Sequence, residues 1–273
     1  MKERTMVTAG VLSALLVESA VATSAHQLLH QMSWSRPIIA AFLAAASQDL
    51  PGNSPEEEFL KAVSHGRDAD VNRLLDEKPR LAFAHEGHGI SALMLAIYGQ
   101  RLAVVQSMLT RRHDDLSIFE AAALGQDEVL QSLLTATPGL AKEYGPDGFT
   151  ALHLSSYFGH RSSMELLIGA GANIDAYSHN KFHACPLQSA TAASQLEAAT
   201  LLLTKGANPN CRGDGGYSPL HEAAGSGQLE LARLLLQHKA DPCPKGDDGK
   251  RPWDVAVEGK QGAILELLKK EVK

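Results

Sequence analysis

The sequence predicts an all-α fold, a solenoid of about seven helix–loop–helix units joined by short β-hairpin fingers. Three observations predict it. The 273-residue chain repeats itself at a step near 33 residues. Each copy carries two short apolar stretches at helical spacing, and glycines recur at the same points of successive copies. Composition agrees: apolar residues make up 44% but aromatics only 5%, with Ala and Leu abundant, which suits small helices in close contact.

The repeat is found by self-comparison. Thr150-Ala-Leu-His-Leu-Ser-Ser-Tyr-Phe-Gly159 parallels Ser218-Pro-Leu-His-Glu-Ala-Ala-Gly-Ser-Gly227. Each is followed by a second apolar stretch, Met164–Ile168 or Leu231–Leu236, and then by Gly171-Ala-Asn-Ile-Asp175 or Lys239-Ala-Asp-Pro242. A third copy holds Cys185-Pro-Leu-Gln and Leu201-Leu-Leu-Thr-Lys-Gly-Ala-Asn; a fourth holds Arg251-Pro-Trp-Asp-Val-Ala. Weaker copies start at Ser91, at Leu116 and near Glu57, where Phe59, Ala62 and Gly66 are in phase. The starts are therefore 57, 91, 116, 150, 185, 218 and 251, with steps of 34, 25, 34, 35, 33 and 33.

The Thr/Ser-Pro-Leu-His-x-Ala-Ala-x-x-Gly phrase resembles the ankyrin repeat. Residues 145–265, with Asp147-Gly-Phe-Thr-Ala-Leu-His, are similar to stand-alone bacterial ankyrin repeat proteins, as is Ser117-Ile-Phe-Glu-Ala-Ala-Ala-Leu-Gly125 upstream. The resemblance covers about residues 55–270 and is strongest in the last four units. It implies an ankyrin-repeat solenoid whose hairpins project as fingers, structural hydrogen bonds from His153, His160 and His221, and partner binding on finger tips and the exposed side of first helices.

Taken in chain order, residues 1–53 stand apart from a repeat domain at 54–273. Met1–Arg4 is charged, Met6–Val17 is apolar, and Ala20-Val-Ala22 and Thr23-Ser-Ala25 resemble small-residue cleavage sites. That order fits a signal peptide over 1–25; an amphipathic helix, a loose extension and upstream sequence from a misassigned start fit it too. Trp34, Ile38, Ile39, Phe42 and Leu43 allow a capping helix or a tail, and Gln48–Ser54 reads as a linker. The first unit opens on Ser54-Pro-Glu-Glu57, an N-cap, an N1 proline and a capping-box Glu.

Thr150 and Ser218 stand at N-cap positions, each with a hydroxyl able to accept a free backbone N–H, and Pro186, Pro219 and Pro252 follow at N1. Leu152, Leu187 and Leu220 face inward, with Ala190, Ala223 and Ala256 giving close helix contact. Gly66, Gly125, Gly159 and Gly227 end first helices, and Gly89, Gly148, Gly216 and Gly249 suit the positive φ of a tight turn. No unit buries its apolar face alone, so neighbours stack.

Three departures carry expectations. The short step between Ser91 and Leu116 leaves no room for a finger, so a gap or kink falls there. The Cys185 unit carries an insertion, Ser178–His183, without a turn glycine, so its finger differs in shape. The last unit, with Arg251, Trp253 and a Lys-rich end, reads as a C-terminal cap.

Catalytic and metal chemistry find little support. His85-Glu-Gly-His88 is one residue short of the HExxH zinc motif and falls in a turn, and His179 and His183 lie in the inserted finger. There is no GxSxG, P-loop or Cys–His signature. No enzyme activity, cofactor or metal is expected. Cys185, Cys211 and Cys243 lack CxxC spacing and read as three unpaired thiols in a reducing compartment; a Cys211–Cys243 bridge is disfavoured by the spacing of stacked units. The net charge of −6 and isolated pairs Arg111-Arg112 and Lys269-Lys270 give no basic face for nucleic acid, and the N-terminal apolar run is short for a stable membrane span.

The expected function is binding of a protein partner by a monomeric adaptor. The contact set is Phe149, Tyr157, Phe158, Phe182 and Tyr217, with Tyr98, Glu120, Leu124 and Glu222 nearby. Phe149 and Tyr217 also fit bracing of a finger, and Phe158 packing between repeats. The expected location is cytoplasmic; export to the periplasm or medium is the alternative if residues 1–25 are a signal.

Overall fold

The computed structural model describes residues 54–112 and 115–271, all within one compact unit, Trp34–Lys273. The possible signal peptide and capping helix within residues 1–53 lie outside the described residues. Seven helix pairs follow one another: α1 Pro55–His65 and α2 Asp68–Glu77; α3 Ala92–Tyr98 and α4 Leu102–Arg112; α5 Ile118–Leu124 and α6 Asp127–Ala136; α7 Ala151–Phe158 and α8 Arg161–Gly169; α9 Pro186–Ala192 and α10 Leu196–Thr204; α11 Pro219–Gly225 and α12 Leu229–Gln237; α13 Pro252–Glu258 and α14 Gly262–Glu271. The first helices form one row, each against the next, and the second helices form another.

Four of the first helices begin as their sequence requires. Ser54, Ser91, Ser117 and Thr150 accept a backbone N–H three residues on, at 3.2, 3.1, 3.2 and 3.4 Å. Such caps stabilise a helix by about 1 kcal/mol. The first and third units therefore open at Ser54 and Ser117 rather than at 57 and 116. Ser218 departs from expectation: its hydroxyl meets His221 Nδ1 at 2.9 Å, while its carbonyl takes the His221 N–H. Leu152, Leu187, Leu220, Ala190, Ala223 and Ala256 are fully buried, so the core runs unbroken through the first-helix row.

Neighbouring units are tied by side chains that reach back along the stack. Arg101 donates to the Gly66 carbonyl at 3.3 Å and Gln261 to that of Gly225 at 3.3 Å, and His160 Nε2 meets the Ala123 carbonyl at 3.0 Å. The fingers are turns rather than the paired strands expected; pairing reduces to single antiparallel bridges, His85 with Ser91 and Tyr144 with Thr150. Backbone bonds nonetheless chain successive fingers: His179 N to Gly148 O at 2.8 Å, Asp214 N to Phe182 O at 2.9 Å and Asp247 N to Gly215 O at 2.8 Å. Gly148 has φ +79, and a Cβ there would lie 2.9 Å from backbone atoms of His179 and Asn180, so glycine allows the next finger to approach. In the inserted finger, where no glycine is available, His183 takes the left-handed conformation at φ 43.

The short step does remove a finger, and α4 and α6 pack less closely than the other neighbouring second helices. A buried ion pair crosses the junction instead. Arg112 Nη1 and Nη2 reach Glu120 Oε1 and Oε2 at 2.6 and 3.0 Å, with the two side chains 6% and 2% exposed. Ser91 Oγ and the Ser117 N–H complete the carboxylate's shell at 2.6 and 2.8 Å. Burial pushes the Glu120 carboxyl up, but Arg112, Ser91 and Ser117 outweigh it and hold the group below its ordinary range.

The last unit caps the stack incompletely. Trp253 and Val257 on α13 are 38% and 50% exposed, although Ala256 is buried as expected and Pro252 is buried beside it in the chain.

The cysteines correct the expectation of three free thiols. Cys185, the N-cap of α9, and Cys211, in the following connection, form a disulfide with Cα atoms 6.7 Å apart. Cys243 is free.

Candidate functional site

Three successive fingers and the first helices behind them enclose a cavity of about 140 Å³. Its aromatic wall is Phe149 and Tyr157 from one unit, Phe182 from the inserted finger, and Tyr217 from the next. Small residues open the space: Ala184, Ser189 and Ala192, the last two on one face of α9, three residues apart. Gln188, Asp214 and Glu222 supply polar groups.

The finger ladder fixes these rings. Phe149 and Phe182 stack with centroids 6.4 Å apart, and Phe149 also leans on His153 at 5.6 Å. Tyr217 lies flat on His221 at 4.7 Å and donates its hydroxyl to Asp248 at 3.0 Å. Both histidines are held by structural bonds, as the resemblance implies. His153 Nδ1 meets Thr150 Oγ1 at 2.7 Å and its Nε2 the Ala184 carbonyl at 2.8 Å; His221 Nε2 meets the Lys250 carbonyl at 3.1 Å. Burial lowers the pKa of all three structural histidines, and that of His153 to about 4.

Gln188 is the polar keystone. Its amide N–H donates to the Tyr217 carbonyl at 3.0 Å and to Glu222 Oε1 at 3.2 Å, and its oxygen accepts the Cys185 N–H at 3.3 Å. Glu222 Oε2 is sealed from solvent and has no hydrogen-bond donor. Burial pushes this carboxyl up to about 8, against the opposing bond from Gln188.

Five of the nine residues singled out by sequence, Phe149, Tyr157, Phe182, Tyr217 and Glu222, therefore line one cavity. The other four do not join it. Glu120 is spent in the Arg112 pair, and Phe158 is buried edge-on against Tyr157 at 5.1 Å. Tyr98 is buried and donates its hydroxyl to Asp147, and Leu124, at the end of α5, is part-exposed. The expectation that these aromatics are exposed is corrected: Phe149 and Tyr157 are each only 9% exposed, while Phe182 and Tyr217 keep part of their surface. Gln188, Asp214 and the small pair Ser189 and Ala192 escape a reading that looks for aromatics; the legible sign was two small residues at helical spacing between aromatic fingers.

Among the described residues no group of three or more His, Cys, Asp or Glu side chains is placed to hold a metal, and no helix is long and apolar enough to cross a membrane.

The family comparisons decide what the stack is made of. Residues 118–213 match the model for ankyrin repeats in three copies, and residues 215–247 match a single ankyrin repeat. The fold is an all-α ankyrin-repeat solenoid. Similar curated proteins come from eukaryotes. "Probable E3 ubiquitin-protein ligase XBOS31" of Oryza sativa subsp. japonica is 34% identical over 36% of this chain and 22% of its own length. "Ankyrin repeat and SAM domain-containing protein 6" of Danio rerio is 32% identical over 55% of this chain and 21% of its own. "Intracellular phospholipase A2" of Caenorhabditis elegans is 25% identical over 67% and 19%. The matched segments span about a fifth of each relative. Ankyrin repeats indicate an interaction module and protein partners.

Proposed function

We propose that this ankyrin solenoid is a non-enzymatic adaptor that holds a protein partner on its finger tips and the adjoining face of its first helices. The observation that carries this reading is the cavity into which three successive units each place an aromatic ring. Aromatic anchors in well-packed pockets dominate many protein contacts, and losing one costs about 2 kcal/mol or more. The backbone ladder between fingers preorganises the rings, which lowers the ordering cost of association. The adaptor works as a monomer in the cytoplasm, without cofactor, stable membrane span or nucleic acid.

A pull-down from the source cells tests this, with wild type beside a Phe182→Ala/Tyr217→Ala variant whose folding is checked by circular dichroism. A partner held by the wild type and lost by the folded variant is expected. A partner held equally by both would remove this face from the reading.

Export is the second reading, and the Cys185–Cys211 disulfide favours it, since disulfides persist in oxidising compartments. The intact mass of the mature chain separates the two: cleavage near residues 22–25 supports export, and a retained Met1 opposes it.

A further inference from the structure

We propose that the cavity takes the ammonium head of a lysine side chain presented by the partner protein. This rests on the adaptor reading and names the chemistry that its surface would recognise. The wall offers the rings of Phe149, Tyr157, Phe182 and Tyr217 together with the carboxyl groups of Asp214 and Glu222, and no Lys, Arg or His lines it. Rings present negative faces, so this lining attracts a cation and repels an anion. Phe182 already receives one such charge: Lys181, outside the lining, places Nζ 5.3 Å from its ring centroid. An aromatic enclosure alone would accept any apolar group; the carboxyl at its edge makes the preference one of charge.

The acceptor pattern selects the kind of cation. Gln188 occupies Glu222 Oε1 at 3.2 Å, and Oε2 has no donor. A guanidinium fork is best met by two acceptor oxygens side by side, one of which is taken here. An ammonium is a compact point charge that one oxygen serves, and its slender alkyl stem can lie against the rings. A cavity of about 140 Å³ suits one such head. On binding, the part-exposed Glu222 side chain turns Oε2 towards the ammonium and releases its carboxyl proton to solvent, so the ammonium gains a charged acceptor and the ring faces and the carboxylate gains the positive neighbour it lacks.

The test is a chemical-shift titration of the ¹⁵N-labelled full chain with n-butylammonium, n-butanol and n-butylguanidinium. These probes match a lysine head, its neutral counterpart and an arginine head. Saturable shifts around Phe182, Tyr217 and Glu222 are expected, with the ammonium bound about tenfold more tightly than the alcohol. The folded Glu222→Gln variant, which keeps shape and loses charge, should bind the two equally. Phe182→Leu, which keeps apolar volume and loses the ring, should weaken the ammonium several-fold and leave the alcohol nearly unchanged. Equal binding of ammonium and alcohol by the wild type overturns the proposal, as does tighter binding of the guanidinium or an ammonium preference that survives in Glu222→Gln. If preference is absent while Phe182→Ala/Tyr217→Ala still loses the captured partner, the binding face stands and only the lysine assignment falls.

Discussion

Removing one member of the Arg112–Glu120 pair should cost far more than removing both. The pair is bidentate, at 2.6 and 3.0 Å, and both side chains are almost wholly out of water. Arg112→Met leaves a buried carboxylate with its Ser91 and Ser117 donors but no counter-charge. Glu120→Gln leaves the guanidinium uncompensated beneath Phe83, whose ring centroid is 5.2 Å from it. Breaking a buried pair from one side costs about 3–5 kcal/mol, whereas replacing both charges is often nearly neutral. The retained serine donors place Arg112→Met near the lower end. The double variant should therefore recover about 2 kcal/mol or more over the sum of the singles. Urea unfolding followed by circular dichroism measures this cycle. Hydrogen exchange localises it, because α3 and α4 should lose protection before α7–α12. Additive single variants, or loss of protection spread evenly along the stack, would refute the view that this pair replaces the missing finger as the junction's fastening.

Four further outcomes follow from the same structure. Burial holds His153 down to about 4, so the folded chain refuses a proton that the unfolded chain takes; stability is fully present above pH 6.5 and falls by about 3 kcal/mol as pH drops towards 4. His153→Gln should flatten that limb of a pH series of urea midpoints. Glu222 has the opposite sign: its proton is kept when folded and lost when unfolded, so stability should fall by about 2 kcal/mol between pH 4.5 and 8, a figure reduced for its partial exposure, and Glu222→Gln should remove the slope. Gly148→Ala should cost about 2 kcal/mol, from the strained φ of +79 and the 2.9 Å approach to the next finger, seen as a lowered urea midpoint. Iodoacetamide applied in urea without reductant should modify Cys243 alone; labelling at Cys185 or Cys211 would show that they are not bonded.

Much of the fold was legible because local signals coincide. Ser54, Thr150, Pro186, Gly125 and Leu220 each state a cap, a turn or a buried contact within a few residues, and seven copies put them in register. Long-range links were not legible in this way. Nothing in the spacing of Arg112 and Glu120 marks them as a pair, since the pattern shows only that a finger is absent. Cys185 and Cys211 are 26 residues apart without a motif, so their meeting depends on stacking geometry. The site was half legible. Aromatics at Phe149, Phe182 and Tyr217 stand out at finger positions, but depth could not be read: Tyr98, Tyr157 and Phe158 look alike in sequence and are hidden to different ends. Gln188 fills the phrase position that His153 and His221 hold, and its reach to Tyr217 and Glu222 appears only once two units are stacked.

The finger ladder also governs how a pull from outside would travel. Three backbone bonds, from His179 to Gly148, from Asp214 to Phe182 and from Asp247 to Gly215, join four fingers in series. A force applied at one tip is passed to its neighbours before any single turn opens. Among the described residues no backbone bond of this kind ties the second unit to the third, where tension would meet side chains instead: the Arg112–Glu120 pair, the Ser91 hydroxyl on Glu120 and the Tyr98 hydroxyl on Asp147. Under load this solenoid would act as a stiff five-unit arm on a two-unit base, with the compliant joint set away from the cavity.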